Sequence, residues 1–481
     1  MVYRGVGMFA LYISLLPEFF LLFGAGIILF VAHFRSSNTP KTYFTLAKFF
    51  VGMSLLSTVV FYNQSVEPHW FRNSSYTTLF KVLIYLAALA AFYLGCKWFL
   101  NKNRSSMGYY LAAMLSLLLL TLAVSAQNML VLFACLELSF ALNVYFIRLN
   151  LDEDITKPVL RRFLFGGALS ALIFISGLLL FYKLGIPYDW HGAYAFFETH
   201  DTAAWQYSLA AVLILIPLLY MLGVAPFHLW FADVIGAVHL PVATFITFIP
   251  PVAYIAVLIE VLSNVFYPLY PELHGFIACC GALSVLVGAV GANSKTDLRR
   301  MFAYVGLCNW GIVLVCLSWL NDNGLLCAFI CMLVYLLAQF GIYTTFYAFK
   351  SKGEYLSELS ELAGVSEVRP YISAALLVFM VSMLGTPPML GFLGKLSVIN
   401  YLIIQGSYVF IGLILTALLL LAYAFLNVIK AVYFDSLTNV FDRADKGVYI
   451  CLMINLILVL ISILNPKYLM HDAEAILSTV L

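Results

Sequence analysis

The chain has 481 residues, of which 64% are hydrophobic and only 10% charged, with a net charge of +2 and a mean hydropathy of +1.00. Water-soluble domains carry about 25% charged residues, so this composition excludes a globular protein in water and points to a bilayer. The near-neutral balance gives no basis for nucleic-acid binding.

A membrane crossing takes roughly 20 apolar residues, and about fourteen such segments follow one another along the chain. They lie near 8–32, 44–62, 77–98, 107–125, 127–147, 160–183, 205–237, 241–263, 274–291, 301–319, 323–349, 370–404, 407–434 and 447–464. The first is long and has no small-residue cleavage site, so it reads as a span and not a signal peptide. The segments at 205–237 and 370–404 are too long for one straight crossing, and both contain proline. The expectation is an all-α polytopic membrane protein.

Lysine and arginine give the orientation. With these spans, sixteen fall in the odd-numbered loops, from Arg35 and Lys41 to Arg443 and Lys446, against Arg4, Arg72 and Lys467 on the other side. Basic loops stay on the side of insertion, so they face the cytoplasm or mitochondrial matrix and both termini face outward. The nine cysteines form no CxxC pair, which argues against a zinc or iron–sulfur site. The sequons at Asn63 and Asn73 are expected to be unused. The segment 350–370 reads as a solvated loop or, less simply, as a docking surface for a neighbour.

Ionisable groups inside spans carry the functional signal, because a charge near a helix centre costs at least about 2.5–3.5 kcal/mol. Lys97 and Lys183 lie at span ends, where a long side chain reaches the interface. Glu18, Lys81, Glu260 and Asp233 lie deeper. Glu137, within NMLVLFACLELSFALNVYF, has no charged neighbour for about half a span on either side. A carboxylate cannot snorkel that far, so proton handling is the reading favoured over a structural hydrogen bond. Lys395 follows the stretch LGTPPMLGFLGK at 384–395. Glycine and two prolines there predict a break at Gly385, Pro387 and Pro388, which strands backbone groups that only a protein interior or a hydrated cavity tolerates.

LGVAPFHLWF at 222–231 lines up with LGTPPMLGFL at 384–393 at an offset of 162 residues, which sets Asp233 opposite Lys395. Pro226 marks the first break, and Pro250–Pro251 a further expected one. Five spans separate the two broken segments, and a five-helix unit repeated once inserts in opposite senses. The expected plan is two inverted five-helix repeats, each with a broken helix near Pro226 or Pro387–Pro388. It divides the chain into an N-terminal three-helix segment at 1–106, a first repeat at 107–263, an inverted repeat at 274–434, and a last helix and tail at 435–481.

GVAPFHLWFADV at 223–234, TDLRRMFAYVGLCNWG at 296–311 and GTPPMLGFLGK at 385–395 resemble the antiporter-like membrane subunits of respiratory NADH:quinone oxidoreductase, complex I. The match is nearest the subunit 2 (N-type) members, which have lysine in the broken twelfth helix; the surroundings of Glu18, Lys81 and Asp233 also suit them. The resemblance implies a proton-translocating subunit without a redox centre, with NADH, FMN, iron–sulfur clusters and quinone held by partner subunits. Implied neighbours are the subunit 4 and 4L types, the lateral helix of the subunit 5 type, and lipids. It also implies a buried axis of a fifth-helix glutamate and lysines on the seventh, eighth and twelfth helices. Glu137 matches the glutamate and Lys395 the twelfth-helix lysine.

The other two positions fall at Met221 and at or beside Pro251. No lysine occurs between Lys183 and Lys295, and no arginine between Arg162 and Arg299. His228 and His239 are then the candidate substitutes, since histidine titrates near neutral pH; the competing reading is a complex I subunit that no longer pumps and acts as a spacer. A subunit of a multi-subunit cation/proton antiporter is the other alternative, against which Lys395 weighs. The abundance of phenylalanine and tyrosine favours the mitochondrial inner membrane over a bacterial plasma membrane.

Overall fold

The computed structural model describes residues 15–34, 39–61, 70–149, 153–200, 204–437, 440–461, 475–477 and 479. Arg4, Arg35, Asn63 and Lys467 lie outside them. The helices are α1 (Leu16–Phe34), α2 (Pro40–Val60), α3 (Ser75–Lys102), α4 (Met107–Ser125), α5 (Met129–Leu149), α6 (Glu153–Leu184), α7 (Trp190–Thr199), α8 (Trp205–Leu222), α9 (Phe231–Ala237), α10 (Leu240–Asn264) and α11 (Tyr270–Asn293). They continue with α12 (Leu298–Leu317), α13 (Asp322–Ala348), α14 (Val365–Val368), α15 (Pro370–Leu384), α16 (Leu390–Ile404), α17 (Tyr408–Tyr433) and α18 (Lys446–Ile461). Among the described residues twelve helices are long and apolar enough to cross a membrane. The predicted crossing at 370–404 appears instead as the shorter helices α15 and α16, and that at 447–464 is described as far as residue 461, as α18.

The chain forms two compact units. The first comprises 1–222, 237–273 and 479–481; the second comprises 223–236 and 274–478. In the first, α10 packs against α3, α4, α5, α7 and α8, and every residue from Leu240 to Ser263 is buried. A helix apolar all round belongs in a core. This corrects the expected break at Pro250–Pro251, since α10 runs through both prolines. Each proline removes one N–H, but a helix enclosed on all sides is kept helical by its neighbours, which is how membrane helices tolerate proline. In the second unit α12 has the central role, buried along most of its length. Gly281, Gly288 and Gly311 bring α11 and α12 close: a Cβ on Gly311 would meet Val285 N at 2.6 Å and Gly281 O at 2.7 Å. Such close approach is what small residues provide in membrane bundles.

The helix break is present in both long segments. After α8, Gly223 has φ +74, and Ala225 N–H donates to Ser284 Oγ on α11 at 2.9 Å. A 3-10 turn at His228–Trp230 then leads into α9. After α15, Gly385 has φ +78; its N–H donates to Ser382 O at 3.1 Å and Thr386 N–H to Val381 O at 3.4 Å. This paired closure is the Schellman pattern, and only glycine enters that region of φ without penalty. Cis peptide bonds occur at Ala225–Pro226 and Pro387–Pro388. The residues 350–370 fold back on their own unit: a two-stranded hairpin (β1, Lys350–Ser351; β2, Glu354–Tyr355) is followed by backbone pairing of Leu298 N–H to Ser357 O and of Leu359 N–H to Thr296 O.

Gly391, in the first turn of α16, lies directly under the end of α15, so a Cβ there would collide with Ser382 O. Gly391→Ala is expected to cost about 1–3 kcal/mol through overpacking. Gly26→Ala and Gly412→Ala, where an added Cβ meets nothing within 4 Å, are expected to be neutral or slightly stabilising. Thermal melting of the three purified variants in detergent checks this; equal melting temperatures would contradict the packing.

Candidate functional site

In the second unit, Lys395 sits one turn into α16 and is 6% exposed. Its Nζ donates to Asn309 Oδ1 on α12 at 2.8 Å. Asn309 is itself buried, and its Nδ2 donates to Val305 O at 2.9 Å, which turns the amide oxygen towards the lysine. The break makes this possible. A Cβ on Gly385 would meet Lys395 Cγ at 2.5 Å, so the lysine stem runs across the glycine. The surrounding space, lined by Asn309, Cys331, Tyr335, Met383, Gly391 and Gly394 among others, totals about 210 Å³ in gaps too narrow for a water molecule. The Tyr335 hydroxyl in that lining is buried without a hydrogen-bond partner among the described residues.

The same α12 also meets the other broken segment. Asp233 lies in the first turn of α9, and it and Arg300 are both close enough to Tyr304 to act on its hydroxyl. The Arg300 side chain lies over Gly236, where a Cβ would collide with it. Asp233 and Lys395, paired by the sequence offset, both lie beside α12, the first within electrostatic reach of Tyr304 and the second hydrogen-bonded to Asn309. At 1.5 Å per residue Tyr304 and Asn309 lie about 8 Å apart along the helix. His228 is half-buried in the 3-10 turn, its ring within hydrogen-bonding reach of the backbone of Pro226, which is exposed.

In the first unit, Glu137 on α5 acts electrostatically on Tyr220 of α8 and Tyr254 of α10. Its Oε1 is buried without a partner among the described residues, while Ser139 and Asn143 lie within hydrogen-bonding reach of the Tyr254 hydroxyl. Tyr220 donates to Phe163 O at 2.9 Å and immediately precedes Met221, itself buried. Glu137 thus faces tyrosines where the resemblance implies an ammonium. His239 lies elsewhere. It caps the start of α10, with Nε2 2.8 Å from Arg104 Nη1, and a guanidinium can only donate. That bond occupies the ring nitrogen that would carry a proton, and it places His239 at a helix end beside a basic loop.

A second charged cluster in the first unit was not legible as a cluster. Glu18 of α1 and Lys81 of α3 are paired at 2.7 Å, 4% and 1% exposed. Lys81 Nζ also donates to Asn73 Oδ1 at 2.9 Å, so the Asn73 sequon side chain is engaged inside the protein. Arg72 N–H donates to Ser125 O at 2.8 Å, while its charge acts on Glu260. Glu260 accepts from Asn264 Nδ2 at 3.1 Å. Glu18 and Lys81 are both visible as in-span charges, but nothing in their spacing announces that they pair. Asn309 was missed although it is a polar residue in the apolar run GLCNWGIVLV.

Residues 126–421 match the family model described as NADH:quinone oxidoreductase/Mrp antiporter, TM. The chain is 25% identical over 475 residues to NADH-quinone oxidoreductase subunit N of Rhodospirillum rubrum, covering 96% of each chain. Its fold matches a chain of respiratory complex I from Thermus thermophilus with a TM-score of 0.78 and 22% identity, over 94% of this chain and 98% of that one. It also matches a chain of the Mrp complex from a Dietzia species with a TM-score of 0.82 and 14% identity, over 96% and 97%.

A hydrogen bond to a buried charged group contributes about 1.5–3 kcal/mol, and removing both partners is milder than removing one. Asn309→Leu is therefore expected to lower the melting temperature of the purified protein, and Asn309→Leu/Lys395→Met to recover part of the loss. If the double variant melts at least as far below wild type as the two single losses summed, the pair is not coupled.

Proposed function

The chain belongs to the NADH:quinone oxidoreductase/Mrp antiporter membrane family, and from that premise we propose that it is the subunit 2 (N-type) membrane subunit of proton-pumping NADH:quinone oxidoreductase. The observation that carries the reading is the end-to-end match to a subunit N over 96% of both chains. In this role the chain moves protons and holds no redox centre; NADH, FMN, iron–sulfur clusters and quinone belong to partner subunits. The partners are subunit 4- and 4L-type neighbours and the lateral helix of a subunit 5-type chain. Two inverted five-helix repeats and fourteen crossings remain the plan, supported by positive φ at Gly223 and Gly385, the same 162 residues apart as the sequence motifs. The bacterial relative weighs towards a bacterial plasma membrane, against the mitochondrial inner membrane expected from the aromatic-rich composition.

The proton-carrying groups are Glu137 with its tyrosines, Asp233 and Lys395 beside α12, His228 at the first break, and Glu260 at the far end of α10. The orphaned Glu137 Oε1, with Ser139, Asn143 and Tyr254 grouped within reach of one another nearby, supports a proton route at this point, since buried polar atoms are normally satisfied by protein or by ordered water. His239, held by Arg104, is left out of the route, and His228 becomes the one candidate replacement for the missing lysines. The non-pumping spacer is the second reading, favoured by Met221 and Pro251 at the lysine positions.

Isolated from mild-detergent membranes, the chain is expected to bring down NADH:quinone reductase activity. Recovery with other antiporter-like chains and no NADH oxidation would move it to a cation/proton antiporter. In the active complex, His228→Ala is expected to lower the number of protons moved per electron in sealed vesicles; an unchanged ratio would remove histidine from the route.

A further inference from the structure

A cavity of about 600 Å³ opens in the second unit where α15 and α18 begin. Its wall carries Arg369, Arg443 and Lys446, two tyrosines, Tyr371 and Tyr449, and no carboxylate. The acids of the same segment are engaged elsewhere. Asp442 Oδ2 accepts from Gly353 N–H at 2.6 Å, and Asp445 Oδ2 pairs with Lys350 Nζ at 3.5 Å. Glu367, on the neighbouring turn, is exposed and outside the lining. Three basic residues thus line one concavity whose wall has no carboxylate.

The backbone adds to this charge. Helix α15 starts at Pro370 with no side chain capping its first turn, and its first residues, Tyr371 and Ile372, line the cavity. Helix α18 starts at Lys446, also in the wall. The first N–H groups of a helix have no partner within it and form the positive end of its dipole, which favours an anion there. Arg369 is fixed by donation from Nη2 to Phe441 O at 3.2 Å, while its Nε is buried without a partner among the described residues.

Apolar side chains frame the opening. Tyr371 is 72% and Ile450 58% exposed, on helices whose starts belong to the basic-loop side. Tyrosine is enriched where a membrane meets water, and a basic pocket between helices on the inner side is suited to a lipid headgroup. We propose that this cavity binds an anionic phospholipid of the inner leaflet, with the phosphate among Arg369, Arg443, Lys446 and the two helix starts, and an acyl chain along Tyr371 and Ile450. A free anion would need no apolar rim, and an acidic partner segment would have to enter at the level of the lipid. The inference rests on the membrane reading of the chain and not on its place in respiration.

The test uses the complex purified from its native membranes, washed of lipid in detergent and titrated with phosphatidylglycerol, phosphatidylcholine or inorganic phosphate. Bound lipid is read by native mass spectrometry and stability by thermal melting. Wild type is expected to retain phosphatidylglycerol over phosphatidylcholine and to melt higher in its presence. Arg443→Gln/Lys446→Gln, both at exposed positions, is expected to weaken that binding roughly thirtyfold, taking about fivefold for each basic residue near a membrane surface. Unchanged melting without added lipid would show that the variant is folded; if it is not, Arg443→Gln alone serves, with a roughly fivefold expectation. Equal retention of the two lipids, or equal binding by variant and wild type, would overturn the proposal. So would inorganic phosphate displacing the lipid at comparable concentration, or loss of a partner subunit from the variant with lipid retention intact.

Discussion

An ammonium-bearing side chain enclosed by helices has to find an acceptor, and the second unit is arranged around how Lys395 finds one. The contact from Lys395 Nζ to Asn309 Oδ1, 2.8 Å long, needs three things at once. The helix must stop at Gly385 so that the lysine stem can cross a residue without a Cβ. The next helix must start close beneath the last, which the bare Gly391 permits. The asparagine amide must also be turned by its own bond to Val305 O. A continuous helix over 370–404 would meet neither of the first two. The break is therefore a device for seating a charge, and the polar groups of α12 make it usable.

What could be read from the sequence follows from how locally each feature is encoded. The breaks near Pro226 and at Gly385–Pro388 were legible because glycine and proline act on their own backbone dihedrals. Pro250 and Pro251 carry the same local signal, yet α10 continues through them, because a helix buried on every side answers to its neighbours. Length acts in a different way. The segment at 370–404 is too long for one straight crossing, and its break leaves two 15-residue helices, each shorter than a span.

Side-chain partners were the least legible. Glu137 and Lys395 stood out because a lone charge in an apolar run is conspicuous. That Glu18 pairs with Lys81, that Arg72 attends Glu260, and that Arg104 holds His239 depend on helix packing that no spacing rule reports. Asn309 is the instructive omission. A census limited to charged residues passes over the neutral amide that makes a buried charge tolerable. The absence of lysine where the resemblance implies it, at Met221 and at or beside Pro251, needed only the sequence, and the structure adds what surrounds these positions: tyrosine hydroxyls around Glu137 and a helix without a basic side chain.

The account stands or falls on whether these buried groups carry protons or merely hold helices together. The most direct measurement is the number of protons moved per electron by the intact complex in sealed vesicles, compared between wild type and Glu137→Gln. Proton carriage predicts a lower ratio in the variant while NADH oxidation continues. An unchanged ratio at undiminished NADH oxidation would contradict it and leave the chain as a spacer in the membrane arm.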